Sequence, residues 1–174
     1  MQTRKITYGG LLLAAAVLLP QVFHLIGGPA LGTIFLPMHI PVLLAGFIVG
    51  PVGALIVGIL SPICSFIYTG GMMPAIPMLY LMIVELGLYG LAIGLMRQKM
   101  PHATWMPLMI GMIVGRIGRG LCFLGLTRLF GMNLPESMGI GVAIVNGLPG
   151  IALQLVLIPS LVWVLNSREW LKNE

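Results

Sequence analysis

The stretch from Pro74 to Gly94, PAIPMLYLMIVELGLYGLAIG, constrains the chain most: it is long and apolar enough to cross a membrane and holds a single acid, Glu85, close to its middle. A carboxylate at that depth is costly, and its presence marks either a partner charge or a ligand. The rest of the chain is of the same kind, 59% hydrophobic and 7% charged with a mean hydropathy of +1.08, far from a water-soluble domain. It contains 24 Gly and 13 Pro, with none of the polar and apolar alternation that barrel strands require. The expected fold is therefore an all-α membrane protein, a helix bundle with close backbone contacts and broken helices, forming one domain over residues 1–174.

Six transmembrane helices are expected, at about 6–25, 38–50, 51–69, 74–96, 105–130 and 139–166. The first has the basic start and apolar body of a signal peptide. No small-x-small cleavage site follows its apolar body before Gln21 and Phe23, and further spans come after it, so it reads as a retained helix. Residues Gly27 to Pro37, GGPALGTIFLP, have no helical period and are rich in breakers, which predicts a loop. The second segment, MHIPVLLAGFIVG, would reach only roughly 20 Å as a helix, short of a ~30 Å hydrocarbon core. A short, steeply packed helix ending in a tight turn at Gly50-Pro51 is expected there. Pro41 suits a first helical turn, whereas Pro62, Pro149 and Pro159 predict kinks.

Lysine and arginine orient the bundle. Arg4 and Lys5 precede the first helix, Arg97 and Lys99 lie between the fourth and fifth, and Arg168 and Lys172 follow the sixth. That face is expected in the cytoplasm, with both termini, and the loops after helices 1, 3 and 5 are external. The net charge of +5 follows from this topology, so no nucleic-acid partner is inferred. Cys64 and Cys122 sit in apolar runs and read as small packing residues.

Few polar residues are then left for function: Glu85, Arg116, Arg119, Arg128, His24 and His39. Glu85 lies roughly 16 Å from the external start of its helix, and Arg119 lies at a similar depth from the external end of the fifth. Arg116 and Arg119, three residues apart, share a helix face, with glycines at 111, 115, 118 and 120 leaving room for a neighbour or a ligand. Two readings stand. Either an ion pair ties helices 4 and 5 together, or these groups line a substrate cavity open to the outside, where one acid against two arginines would suit an anionic or strongly accepting ligand. His39 either reaches such a site or caps its helix. Tyr68, Tyr80, Tyr89, Asn146 and Gln154 are further hydrogen-bonding candidates. No HExxH, GxSxG or P-loop occurs, and His24, His39 and His102 cannot share one helix turn, so no catalytic or metal-ligating residue is assigned. Four acidic residues give ion-coupled transport little to work with, and no internal duplication marks an inverted-repeat transporter.

The run FLPMHIPVLLAGFIVGPVGALIVGILSP, followed by GMMPAIPMLYLMIVELGLYGLAIGL and VNGLPGIALQLVLIP, resembles the substrate-specific S component of energy-coupling factor (ECF) vitamin transporters. The likeness runs from about Gly10 to Pro159, and its specific parts are His39-Ile40-Pro41 with Gly50-Pro51, the Glu85 to Gly90 stretch, and Gly147 to Gln154. It implies six helices with both termini inside and a vitamin bound near the external face between helices 4 to 6, under loops 1, 3 and 5. It also implies a chain that is not an enzyme and holds no cofactor. ATP would be hydrolysed by two partner ABC ATPases joined to a transmembrane scaffold subunit, in a bacterial plasma membrane, with the S component toppling to carry its ligand inward. The small-residue pattern that contacts the scaffold in that family is similar to Gly10, Ala14 and Ala15 here, with Gly at position 10 where the family often has Ala.

The candidates for substrate binding are Glu85, His39, Arg116, Arg119, Asn146 and Tyr89. Glu85 and His39 suit a pyridoxine- or hydroxymethylpyrimidine-type heterocycle, since a carboxylate accepts from amino and hydroxyl donors; this is the favoured substrate class. Arg116 and Arg119 suit a carboxylate such as pantothenate. A membrane-embedded enzyme built on Glu85, His39 and Arg116, or an assembly protein with no ligand, are the other classes to be separated.

Overall fold

Glycine spacing, more than hydropathy, decides which helices touch. The computed structural model describes residues 2–167, and among these it contains α1 (Gln2–Phe35), α2 (His39–Ile48), α3 (Pro51–Tyr68), α4 (Met78–Lys99), α5 (Trp105–Arg128), a 3-10 turn (Glu136–Met138) and α6 (Ile140–Ser167), with no strand. Six stretches are long and apolar enough to cross a membrane. The expected C-terminal charges Arg168 and Lys172 lie outside the described residues.

The expected loop at residues 27–37 needs correcting. Helical geometry breaks only at Gly27 and at Gly28, which takes φ 70°, and the chain then resumes a helical path to Phe35. The breakers are concentrated in Gly27-Gly28-Pro29, so a kink suffices, and Ala30 to Phe35 can turn again. A second bend follows at Leu36, with φ 51°. The consequence is a solution to the short second helix: Ala30 to Ile48 together make a 19-residue apolar stretch, long enough to cross although α2 alone is 10 residues. α4 also starts later than the expected residue 74, at Met78, because Pro74 and Pro77 cannot donate backbone bonds; Pro77 takes the cap position. The loop before it is tied to the end of α3, where Ser65 Oγ donates to the Met73 carbonyl at 3.0 Å and Met73 N–H donates to Thr69 Oγ1 at 2.9 Å. Pro62, Pro149 and Pro159 all sit inside their helices.

α4 is the central helix, packed by α2, α3 and α5. On its α3 side the backbones themselves meet: a Cβ on Gly58 would strike the Leu86 carbonyl, and one on Gly90 would strike Ala54. On its α5 side Gly115 lies against the Tyr89 ring and the Glu85 carbonyl, and Gly111 against Ile93. Leu86, Tyr89 and Ile93 fill the space with Val42, Leu43, Phe47 and Leu108, all buried. Gly94 abuts the Gly50–Pro51 turn and Gly9 lies beside Val49 and Val57, so the basic residues Arg4, Lys5, Arg97 and Lys99 gather at one end of the bundle. The outward face of α5, by contrast, is a run of large aliphatic side chains, Met109, Ile113, Ile117, Leu121 and Leu124, as a lipid-facing surface requires.

Candidate functional site

Because α4 and α5 approach through glycines, the one acid of α4 comes within reach of both arginines of α5. Glu85 is fully buried; Arg116 and Arg119 are 8% and 5% exposed. Arg116 Nη1 lies 2.9 Å from Glu85 Oε1, and Arg119 Nη1 donates to Oε2 at 2.9 Å. Tyr89, one turn along α4, donates its hydroxyl to Oε1 at 2.9 Å. Both carboxylate oxygens are thereby occupied by charged or polar donors, the condition under which a carboxylate is tolerated out of water.

The arginines differ in what they have left. Arg119 Nη2 donates to the Met138 carbonyl at 3.2 Å and approaches Met78 Sδ at 3.5 Å, while its Nε is buried without a partner. For Arg116 the contact with Glu85 is the one polar contact among the described residues, so its remaining N–H groups are available. His39, the first residue of α2, is 3% exposed; its Nε2 stands 3.8 Å from Glu85 Oε1, and neither ring nitrogen has a hydrogen-bond partner. Its ring packs on Tyr89 with centroids 5.6 Å apart.

These groups border a cavity of about 370 Å³ at the end of the bundle remote from the basic cluster. His39, Arg116, Arg119 and Asn146 line it; Glu85 and Tyr89 do not, and sit behind the wall as the arginines' support. The lining also includes Gly32 and Thr33 of α1, Leu36 at the bend after it, Met72, Met73 and Pro74 of the α3–α4 loop and Ser137 before α6. His24 also faces the cavity, with a buried Nδ1 that lacks a partner. Gln154 is buried and donates to the Leu36 carbonyl at 3.5 Å, holding the bend before α2 rather than facing the cavity. Tyr68 and Tyr80 are exposed and lie outside it, and Arg128 is exposed at the end of α5.

Residue-by-residue reasoning missed the methionines. Met38, Met72, Met73, Met78 and Met82 all line the cavity, giving it soft, polarisable walls that adapt to a ligand's shape. Their sequence signal was available: they lie at or near the starts of the α2 and α4 segments in a chain with 13 Met. Among the described residues no group of three or more His, Cys, Asp or Glu could hold a metal ion. What the arrangement can do is bind: two guanidiniums against one carboxylate leave one positive charge in excess at a water-poor wall, with free donors pointing at an adaptable apolar cavity.

The small residues of α1 face away from all this. Gly10 and Ala14 are exposed, with nothing within 4 Å of a Cβ on Gly10, while Ala15 is half-buried.

Comparison with curated proteins and with solved structures gives no match. A family model does match, that of the ECF transporter, substrate-specific component, over residues 4–162. That range takes in four of the six apolar stretches whole and most of the first and last, with every cavity residue named above, and it describes a substrate-binding subunit of a transporter, not an enzyme: the chain belongs to the family of substrate-specific components of ECF transporters.

Proposed function

We propose that this chain is the membrane-embedded subunit through which a bacterial cell captures a water-soluble vitamin bearing an anionic group, of the pantothenate class, for ATP-driven uptake. The ligand sits in the cavity with its carboxylate against Arg116 and Arg119 and its body among the methionines. A transmembrane scaffold subunit docks on the α1 face that carries Gly10, Ala14 and Ala15, and two ABC ATPases on that scaffold supply the energy. The observation that carries the reading is the position of Glu85. Its oxygens are engaged by Arg116, Arg119 and Tyr89 behind the wall, so the group that would have favoured an amino- or hydroxyl-donating heterocycle is turned away from the cavity. The charge that remains at the wall is positive.

The heterocycle reading keeps one observation in its favour. His39 and His24 both present unpartnered ring nitrogens at the cavity and suit a hydroxylated pyridine or pyrimidine.

The test is thermal unfolding of the purified chain against a panel of carboxylate and uncharged vitamins. A ligand at a hundredfold above its Kd stabilises by about 2.7 kcal/mol, well within detection. Stabilisation by a carboxylate vitamin is expected. Stabilisation by pyridoxine alone would move the assignment to the heterocycle, and stabilisation by none at micromolar concentration would remove the binding-subunit reading for vitamins.

A further inference from the structure

The opposite end of the bundle holds a second concavity, which the vitamin site does not use. It is a groove of about 710 Å³ between the start of α5 and the end of α6, lined by His102, Trp105, Met106, Pro159, Ser160 and Trp163. Its two tryptophans are 56% and 71% exposed, so their rings are presented outward and not packed into the bundle. Beside the groove, Arg97, from the end of α4, donates from Nη1 to the carbonyl of the lining residue Ala103 at 3.3 Å and from Nη2 to Asn166 Oδ1 at 3.4 Å. One guanidinium thus ties the loop before α5 to the end of α6 and brings positive charge beside the groove. His102, in the lining, is exposed, as is Lys99, the last residue of α4 and three positions before it.

The chemistry of this place is that of an amphiphile's seat. Tryptophan rings prefer the level where hydrocarbon meets headgroup, because the ring body is apolar and the indole N–H is polar. Met106, Pro159 and Trp163 form the apolar part of the groove, whereas His102 lies at its other end, with Arg97 bonded to the lining residue Ala103 and Lys99 exposed close by in sequence. The described acids, Glu85 and Glu136, both lie elsewhere, so the groove's charge is of one sign among the described residues. A zwitterionic lipid would gain little from such a rim; an anionic one gains from each cation close to its phosphate.

We propose that this groove is a binding site for one anionic phospholipid of the leaflet that meets the basic end, with acyl chains against Trp105, Met106 and Trp163 and its headgroup at Lys99, His102 and Arg97. The lipid fills the wedge between α5 and α6 at the end away from the cavity.

The experiment uses the full chain with Trp170→Phe, so that emission comes from Trp105 and Trp163, in phosphatidylcholine nanodiscs containing a small fraction of brominated lipid. Brominated phosphatidylglycerol is expected to quench as strongly as brominated phosphatidylcholine at about fivefold or greater mole fraction. Lys99→Gln with His102→Gln should abolish that preference, whereas Arg4→Gln with Lys5→Gln, which removes at least as much charge elsewhere on the basic end, should leave it. Equal quenching by the two lipids overturns the proposal, leaving the groove to bulk lipid or to a protein partner. A preference lost equally in both double variants also overturns it, because diffuse charge would then account for the effect.

Discussion

α4 and α6 are both long, apolar helices, with mean hydropathy 1.9 and 2.1 over their most apolar windows, yet half of that window is buried in α4 and 22% in α6. The difference lies in what the neighbours allow. α4 meets glycines or its own glycines on two sides, at Gly58, Gly90, Gly111 and Gly115, so other backbones close on it directly. α6 touches the rest mainly where Gly147 and Gly150 admit the Leu36 side chain and the Ile34–Phe35 backbone, and Gly141 faces open space. The site is split along the same line. α4 supplies the fixed electrostatic base, Glu85 with Tyr89, while α6 supplies Asn146 on a loosely held wall. A binding site of this design has its charge set by the rigid side and its shape free to adjust on the other.

The largest effect should come from Glu85→Gln. Removing the charge leaves Arg116 and Arg119 buried without a counter-ion, and breaking a buried pair costs roughly 3–5 kcal/mol. Unfolding of the ligand-free chain in detergent measures it. A variant as stable as the parent that loses only ligand affinity would make Glu85 a ligand contact and erase the division between base and wall.

Next, Gly90→Leu should cost roughly 3 kcal/mol or more, since Ala54 occupies the space its side chain needs and neither backbone can retreat. Gly141→Ala on α6, where nothing stands within 4 Å, should be neutral or stabilising by up to about 1 kcal/mol. Equal costs at the two sites would show that α4 is no more tightly held than α6.

Arg116→Gln should weaken binding of an anionic ligand by on the order of 2 kcal/mol, a loss of a charge-assisted bond, while stability falls less than in Glu85→Gln because Arg119 still neutralises the acid. Asn146→Ala should be the mildest, roughly 1 kcal/mol in affinity with the unfolding temperature unchanged, as expected of an exposed amide on the adaptable wall.

Much of this was legible in residue order, because the membrane imposes lengths and penalises charge. The six apolar stretches, the turn at Gly50-Pro51 and the depth match of Glu85 with Arg119 all follow from counting at 1.5 Å per residue. The helical path through Ala30 to Phe35 did not, since whether a Gly-Gly-Pro run ends a helix or only kinks it depends on what the next residues pack against; here they meet Gly150. Nor did the side of the wall on which Glu85 lies. A fraction of a turn of α4 about its axis would change where Glu85 points, and that rotation is set by Gly58, Gly90 and Gly115, which bear on packing and carry no chemical signature of their own. The methionine lining escaped for a similar reason: five flexible apolar side chains look like ordinary membrane filler until the fold gathers them.

The most direct measurement is a calorimetric comparison of pantothenate with its alcohol analogue pantothenol, which keeps size and hydroxyls and lacks the carboxylate, on the purified full chain. An arginine-faced cavity with its acid withdrawn predicts that the carboxylate binds at least a hundredfold more tightly, about 2.7 kcal/mol. Equal affinities, or a preference for the alcohol, would contradict it.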